Sequence, residues 1–157
     1  MNAEIVTTAP INLFKQLVAT GQERTARAEW YKKEVGHLYL IRIDQISGKS
    51  SVIKDSFLKI GMSSQMDVHS RFNLMPRCFI ITVIEDIVLP LEEVRSLEKR
   101  IHNHCRDFRY IPKHKRWGGK TECFNLNLMT EFSSLADMIT SLKPLPEATK
   151  ERPMYSL

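Results

Sequence analysis

Apolar residues recur with a helical period at both ends of the chain and with a strand-like pattern in the middle. Near the N-terminus the pattern predicts one helix from Pro10 to a stop at Gly21, and a second over residues 22–34. The following segments are rich in β-branched and aromatic residues, which is typical of strands. Helical spacing returns after Pro90, so helices are predicted to surround a central group of strands.

Three strands are predicted in the middle of the chain. Residues 38–43 and 57–60 are separated by a polar segment that contains a glycine, which favours a hairpin. Residues 78–87 form the third strand, and their almost unbroken apolar run predicts burial on both faces. Between the second and third strands, Ser63-Ser64 offers the cap of a short helix that carries Arg71, with Asp67 in a capping-box-like place three residues after Ser64.

The clearest helical pattern starts at Pro90 and gives one apolar stripe on the helix surface. A last strand is predicted over residues 122–126 and a final amphipathic helix over 128–142, before a proline-containing tail. This order of elements predicts an α+β or mixed domain around a small sheet, with helical additions at both ends. The stripe consists of Leu91, Val94, Leu97, Ile101, Cys105 and Phe108.

Composition and charge limit the class of protein. The chain has 157 residues, with 23 basic and 18 acidic side chains, and its net charge of +5 suits an anionic partner. Cys78, Cys105 and Cys123 are odd in number and widely spaced, so reduced thiols are expected rather than disulfides or a structural zinc site. No apolar run approaches the ~20 residues that span a bilayer, and the N-terminus lacks a secretion signal. We therefore expect a cytoplasmic protein without a membrane partner.

The predicted hairpin brings several polar residues to one place. Tyr39 on its first strand and Lys59 on its second become neighbours if the register agrees. Gly61 then ends the second strand, and the helix that starts after Ser63 places Arg71 near the same sheet edge. A tyrosine, a lysine and an arginine that converge in this way suit an anionic, phosphate-like group. Taken alone, the same residues also fit ordinary strand positions with a solvent-facing lysine.

Two residues on the long predicted helix form a second candidate. Glu98 and His102 are four positions apart, so they share one helix face beside the apolar stripe. Such a pair is compatible with an ordinary surface interaction. It is also compatible with a carboxylate for a divalent cation, because Mg²⁺ often takes only one or two protein carboxylates and completes its shell with water and phosphate.

A basic segment over residues 106–120 forms the third candidate. Its six cations face a single acid, Asp107, and alternate with three aromatic residues. This composition suits phosphate contacts with aromatic stacking or groove packing, and it is also that of a solvated loop. The cations are Arg106, Arg109, Lys113, Lys115, Arg116 and Lys120, and the aromatic residues are Phe108, Tyr110 and Trp117.

Four short motifs follow one another along the chain: HLYLIRI, FLKIGMSS with Arg71 downstream, SLEKRIH and GGKTECFNL. Together they resemble the GIY-YIG nuclease superfamily, and more narrowly its phage and meiotically up-regulated branch, where the second half-motif often reads KIG. The resemblance implies a central antiparallel sheet of about three strands flanked by helices, and a single-metal phosphodiesterase site. We therefore divide the chain into an N-terminal helical extension (1–36), a nuclease-like domain (37–126), a helix packing on it (127–142) and a flexible tail (143–157).

The resemblance also implies roles for individual residues. Tyr39 matches the tyrosine of the first half-motif, and Gly61 matches the glycine of the second. Arg71 matches the helix arginine that contacts the scissile phosphate, and Glu98 matches the metal-binding glutamate. His102 falls where this branch commonly has a histidine.

The late motif and three departures complete the comparison with that superfamily. Glu122 and Phe124 match a late E-x-F element. His37 stands where the first half-motif begins with glycine, Lys59 replaces the usual second tyrosine, and Cys123 replaces a tryptophan. The glutamate, the arginine and the first tyrosine are retained.

The implied activity is hydrolysis of a DNA phosphodiester bond by a metal-dependent endonuclease or nickase. Glu98 is expected to hold Mg²⁺ or Mn²⁺, and Arg71 to neutralise charge that develops on the phosphoryl oxygens. A water is expected to attack in line after activation by Tyr39 or Lys59. We expect Arg71 and the metal to lower the pKa of Lys59, so that its neutral amine serves as a base.

Two other functions stay open from the sequence. One is a catalytically inactive module on the same fold that binds nucleic acid through the basic segment. The other is an interaction subunit that docks on a larger assembly through the terminal helices, which also offer a surface for a homodimer or a protein partner. DNA is the expected partner, and the expected setting is the cytoplasm of a bacterial or phage-infected cell, with association with the nucleoid.

Overall fold

The computed structural model describes residues 4–7, 22–49, 51–114 and 116–142. The regular elements are β1 (Glu4–Thr7), α1 (Glu23–Lys32), β2 (Val35–Ile46), β3 (Ile53–Ser63), β4 (Phe79–Pro90), α2 (Leu91–His104), β5 (Cys123–Phe124), α3 (Leu128–Glu131) and α4 (Leu135–Ser141). Three 3₁₀ segments interrupt the loops, at Val68–Phe72, Arg106–Phe108 and Gly118–Glu122. The helix predicted between Pro10 and Gly21 and the predicted tail lie outside the described residues.

The strands form one five-stranded sheet in the order β1-β4-β2-β3-β5. β1 is parallel to β4, and the other neighbouring strands are antiparallel. The predicted α+β class and the central antiparallel strands are therefore confirmed. β1 is an additional strand at one edge, and the predicted last strand, β5, lies at the other. None of the described helices has the length and apolar content that a membrane crossing requires.

Alternation along β2 divides the core between the two faces of the sheet. Leu38 and Leu40 belong to a cluster with α2, α3 and α4, whereas Tyr39, Ile41 and Ile43 belong to a cluster on the opposite face. Successive side chains of a strand point to opposite faces, so a strand buried on both sides supplies two clusters. The predicted stripe of α2 packs into the first cluster, where Val94, Leu97, Ile101 and Cys105 are buried.

β4 differs from its prediction. Phe79, Ile81 and Val83 are buried, but the residues between them are only partly covered. Ile84 and Ile87 lie at the margin of the cluster that contains α2, because the helices do not extend over the whole of this face. The apolar run therefore does not indicate burial on both faces here.

The predicted helix after β3 is a single 3₁₀ turn, Val68–Phe72. Its cap is Asp67, whose carboxylate accepts a hydrogen bond from the His69 N–H at 3.1 Å. The predicted cap, Ser64, instead offers its carbonyl oxygen to the Trp30 indole N–H at 2.9 Å. Because the backbone of Ser64 is engaged by α1, the helical geometry starts later and lasts only one turn.

The predicted final helix is broken into α3 and α4. Ser134 caps α4 by accepting a hydrogen bond from the Asp137 N–H at 3.0 Å, and Glu85 of β4 accepts one from the Leu135 N–H at 2.6 Å. These caps define a new helix start inside an unbroken apolar period. The last strand is also shorter than predicted and contains only Cys123–Phe124.

Candidate active site

The site forms at an edge of β3 that the short strand β5 leaves uncovered. β5 pairs only with Leu58 and Lys59. Farther along that edge, His102 Nε2 lies 2.7 Å from the Ile60 carbonyl oxygen, and Met62 gives a backbone hydrogen bond to the Glu98 carboxylate. A buried strand edge needs partners for its backbone groups. Two side chains from one face of α2 supply these partners, which fixes α2 against β3.

Lys59 lies at the centre of the site. Its side chain is 4% exposed, and its Nζ donates to Glu122 Oε2 at 2.5 Å and to the Tyr39 hydroxyl oxygen at 3.1 Å. A Cβ at Gly61 would lie 2.8 Å from Lys59 Nζ and 2.6 Å from Tyr39 Cζ. Only glycine at position 61 leaves room for the Lys59 ammonium group and the Tyr39 hydroxyl to meet. The predicted proximity of Tyr39 and Lys59 therefore depends on Gly61.

The prediction that the pKa of Lys59 is lowered and that its amine is neutral is wrong. Burial by itself lowers the pKa of Lys59, but the nearby Tyr39 and the Glu122 carboxylate together raise it above the ordinary lysine value. The prediction considered Arg71 and a metal but did not include the Glu122 carboxylate within ion-pair distance. Lys59 is therefore a fixed ammonium group rather than a base.

Glu98 lies in the same electrostatic environment. Its pKa is raised, first by burial and then by repulsion from Glu122, and the positive charges of Lys59 and Arg71 partly oppose this shift. Interactions of this kind require proximity, so two carboxylates and two cations converge here. Arg71 belongs to this group although it stands on a 3₁₀ turn and not on the predicted helix.

An open cleft of about 440 Å³ gives access to this group. One side of the cleft carries Lys59, Arg71 and Glu122, and Arg116 adds a further cation. The remaining lining is apolar or glycine, from the turn before β4 and from the start of the last 3₁₀ segment. These residues are Leu74, Met75, Pro76, Trp117, Gly118 and Gly119.

His102 is held in one tautomer. The Ile60 carbonyl oxygen can only accept a hydrogen bond, so His102 Nε2 carries a proton. Burial lowers the pKa of His102, although the backbone contact with Ile60 and the charge of Glu122 oppose the shift. The ring is therefore neutral near pH 7, and its Nδ1 is an acceptor.

The predicted basic segment contributes cations to two separate hollows. The described members Arg106, Arg109, Lys113, Arg116 and Lys120 are all exposed, and Lys115 lies outside the described residues. Arg116 lines the cleft beside Lys59, whereas Arg106 lines a separate hollow of about 400 Å³ with residues of α2. The Lys113 Nζ donates to the Lys54 carbonyl oxygen at 3.2 Å.

The aromatic residues of that segment pack against the core of the sheet. Tyr110 stacks on Phe57 with ring centroids 5.7 Å apart, and Trp117 contacts Phe79 edge-on at 5.2 Å. Asp55 anchors this segment by accepting hydrogen bonds from the Tyr110 hydroxyl and from a backbone N–H. That hydrogen bond raises the pKa of Tyr110 to about 12. Only Trp117 among these aromatic residues also lines the cleft.

The sequence patterns did not indicate a second buried cation, His37. His37 Nδ1 lies 2.6 Å from Asp86 Oδ1, His37 Nε2 lies 3.0 Å from the Met66 carbonyl oxygen, and the Trp30 ring stacks on the imidazole at 5.0 Å. Burial lowers the pKa of His37, but Asp86 outweighs it and the net shift is upward. Asp86 lies 49 residues from His37, and no local pattern connects them.

The three cysteine thiols are free, and Cys105 and Cys123 are buried as expected. Burial raises the pKa of Cys105 to about 11 and that of Cys123 to about 12. Neither thiol is therefore a nucleophile near neutral pH. Among the residues that the structure describes, no group of three or more histidine, cysteine or acidic side chains is arranged to hold a metal ion.

Comparison with known proteins identifies one family. A model of the T5orf172 domain matches residues 36–140, which include β2 from its second residue onward, β3, α2 and every residue that lines the cleft. This domain is associated with nuclease-type proteins. No curated protein and no solved structure matches the chain.

Proposed function

The chain belongs to the T5orf172 domain family, and from this membership and the cleft we propose that it is a divalent-metal-dependent DNA endonuclease or nickase. The observation that carries the proposal is that Lys59 and Arg71 line one open cleft and that the Glu98 carboxylate lies close enough to interact with both charges. These residues come from a strand, a 3₁₀ turn and a helix that are far apart in the chain. The finer resemblance to the GIY-YIG superfamily, in its phage and meiotically up-regulated branch, is part of this proposal.

Glu98 fits the role of a ligand for a hard cation. Burial of its carboxylate and then repulsion from the neighbouring Glu122 raise the pKa of Glu98, so a positive charge beside it would be favourable. Mg²⁺ or Mn²⁺ would be held by this carboxylate together with water and substrate phosphate, since such ions often take only one or two protein carboxylates. When bound, the ion would supply Lewis-acid polarisation of the phosphate.

Arg71 and Lys59 would act on the scissile phosphate. Arg71 is exposed at the cleft and has the planar donor geometry that suits phosphate oxygens. The Lys59 ammonium lies deeper and is held between Glu122 and Tyr39, so it would not reorganise as charge develops. Tyr39 is fully buried and acts here as a positioning residue for Lys59.

His102 is the best candidate for a proton acceptor. Its neutral ring is fixed through Nε2 and leaves Nδ1 available, while Lys59 is charged and Tyr39 is buried. A base with a pKa below the ordinary histidine value is in its active form near neutral pH. We assign to His102 the removal of the proton from the attacking water.

A nucleic-acid-binding module without catalysis is the second candidate. The observation in its favour is that Glu122, the carboxylate that lines the cleft, is engaged by Lys59 at 2.5 Å. Among the described residues, Glu98 is then the one acidic side chain of this group without an ion pair. Such a module would still use Arg71 and Arg116 to contact phosphates.

The deciding experiment is a plasmid relaxation assay at low salt with Mg²⁺ or Mn²⁺. Wild-type protein is expected to convert supercoiled plasmid to the nicked form, and EDTA is expected to stop the reaction. Glu98→Ala tests the metal ligand, and Glu92→Ala is the matched control, because Glu92 is an exposed acid in the first turn of the same helix.

Three results would reject or redirect the proposal. Cleavage that survives in Glu98→Ala would exclude Glu98 as the metal ligand. Absence of cleavage together with a salt-sensitive mobility shift would favour the binding module. Absence of both cleavage and binding would exclude a nucleic-acid function.

A further inference from the structure

We propose that the cleft accepts an unpaired nucleotide, with its phosphate at Arg71 and its base against an apolar wall of Leu74 and Trp117. This inference rests on the proposed function and names its substrate class. The expected substrates are DNA strands with a locally unpaired or single-stranded segment at the cleavage position. A fully paired duplex is expected to be a poor substrate.

Leu74 is the first observation behind the proposal. Its side chain is 97% exposed, the highest exposure among the large apolar residues that the structure describes as exposed. A single exposed leucine is common on protein surfaces, but Leu74 lies on the wall of the cleft that contains Lys59 and Arg71. An apolar side chain that projects beside phosphate-binding cations is suited to a ligand with an anionic part and an apolar face.

The turn that carries Leu74 is fixed at both ends. The Met75 N–H donates to the Phe72 carbonyl oxygen at 3.0 Å, and the Phe79 N–H donates to the Pro76 carbonyl oxygen at 3.1 Å. Phe72 and Phe79 are themselves fully buried. The exposure of Leu74 is therefore set by an anchored turn, and the leucine is presented to the cleft in a defined position.

Trp117 forms the other part of the wall. Its ring is supported by Phe79, and Gly119 allows the chain to pass closely, since a Cβ there would lie 2.8 Å from Lys59 Cε. Gly118 has open space around it. The indole and the cationic group are thus brought within one narrow cleft, with no side chain at positions 118 and 119 to fill it.

The size and chemistry of the cleft determine which DNA it accepts. A volume of about 440 Å³ is in the range of pockets for small ligands. In a paired duplex both faces of a base are covered by stacking neighbours, so a contact with Leu74 or Trp117 requires that the base leave the stack. Unstacking is easiest for a mismatched or single-stranded base, and base contacts with apolar and aromatic side chains tolerate any sequence.

The test compares three labelled oligonucleotides of one sequence: a fully paired duplex, a duplex with an unpaired internal loop, and the single strand. Wild-type protein is expected to cleave the looped duplex with a kcat/KM at least about tenfold above that of the paired duplex. Leu74→Ser is expected to reduce this preference to about twofold or less. Val52→Ser is the control, because Val52 is also an exposed apolar residue but lies outside the cleft.

Binding measured with Glu98→Gln protein at fixed salt separates this inference from the nuclease proposal. Equal cleavage and equal affinity for paired and looped DNA would overturn the inference and leave the nuclease proposal intact. Absence of cleavage by wild-type protein, with tighter binding of looped DNA that Leu74→Ser removes, would support the inference for a binding module. Absence of both binding and cleavage would overturn both.

Discussion

Two buried cations on this sheet are built alike but differ in their surroundings. Lys59 on β3 is held by Glu122, and His37 on β2 is held by Asp86. In both, the side chain of the cation is almost fully buried, at 4% and 6% exposure. In both, burial lowers the pKa of the basic group but its partners outweigh burial and raise it: Tyr39 together with Glu122 for Lys59, and chiefly Asp86 for His37.

The difference lies in what surrounds each pair. Both ring nitrogens of His37 have partners and Trp30 covers the ring, so this cluster is closed. The Lys59 cluster borders an open cleft and adds a second carboxylate and a second cation, Glu98 and Arg71. A buried ion pair therefore does not by itself indicate a functional site. Additional charge beside open space is the better indicator.

The largest expected effect tests the open cluster through Glu98. Glu98→Gln is expected to reduce plasmid nicking by at least about 1000-fold, because the neutral amide is a poor ligand for a hard cation. Its melting temperature is expected to stay unchanged or to rise slightly, since a half-buried negative charge beside Glu122 is removed. Nicking rates and thermal unfolding measured together would test this, and a strong loss of stability would instead place Glu98 in a structural role.

The next effect tests the ammonium of Lys59. Lys59→Met is expected to lower the nicking rate about 100-fold, the order of magnitude for loss of one preorganised electrostatic group. The loss of stability is expected to stay below the ~3–5 kcal/mol of a fully buried pair, because the Glu122 side chain left behind is 33% exposed.

Urea unfolding and single-turnover nicking would separate the two effects of Lys59→Met. Glu122→Gln serves as the control, because it keeps Lys59 and removes only its carboxylate partner. If the Lys59→Met protein unfolds easily but retains nicking per folded molecule, Lys59 would have a structural role like that of His37. The proposed difference between the two clusters would then be wrong.

The closed cluster is expected to give the reverse result. His37→Leu removes the hydrogen bonds to Asp86 and to the Met66 carbonyl oxygen, and is expected to lower the free energy of unfolding by about 1–3 kcal/mol. Nicking per folded molecule is expected to stay within about twofold of wild type. A twofold change in rate corresponds to a change in activation free energy well under 1.4 kcal/mol. A loss of nicking larger than the loss of folded protein would mean that His37 takes part in the site.

The pH dependence of stability tests whether His37 stabilises the fold as a cation. The pKa of His37 is raised in the folded protein above its ordinary value of 6.5. The contribution of His37 to the free energy of unfolding is therefore complete below pH 6.5, and it is lost as the pH rises through the pKa of the folded state. Wild-type protein is therefore expected to lose stability above pH 6.5 relative to His37→Leu. Urea unfolding of both proteins across this range would detect the difference, and parallel pH curves would contradict it.

The smallest effects concern the exposed cations. Arg109→Ala and Arg116→Ala are each expected to reduce the slope of log K against log salt for duplex DNA by about 0.9, if each side chain contacts one phosphate. Arg116 lines the cleft and Arg109 does not, so only Arg116→Ala is expected also to slow nicking. Binding titrations at several salt concentrations would measure both slopes, and an unchanged slope would remove that arginine from the DNA contact.

The hairpin and the long helix were predictable because their signals are local. Tyr39 and Lys59 stand on adjacent alternating strands, and the apolar period after Pro90 matches the observed helix. Glu98 and His102 share a helix face by spacing alone. These features depend on side-chain periodicity, which the chain carries in any context.

The helices whose starts were predicted wrongly are determined by hydrogen bonds to local and distant partners. The 3₁₀ turn starts late because the backbone of Ser64 is bound by Trp30, and α4 starts at Ser134 because Glu85 and Asp137 provide its caps. Periodicity detects an apolar face, but it does not detect a hydrogen bond from another strand.

The sequence by itself determined the α+β class, the central strands, the helix α2 and the residue types at the cleft. Tertiary structure alone decided that Lys59 is an ammonium group, that Arg116 reaches the cleft and that Leu74 is presented beside Arg71. The reason is physical: protonation and access depend on charges and surfaces brought together from distant parts of the chain. Lys59 and Glu122 are 63 residues apart, and only the fold places their charges at 2.5 Å.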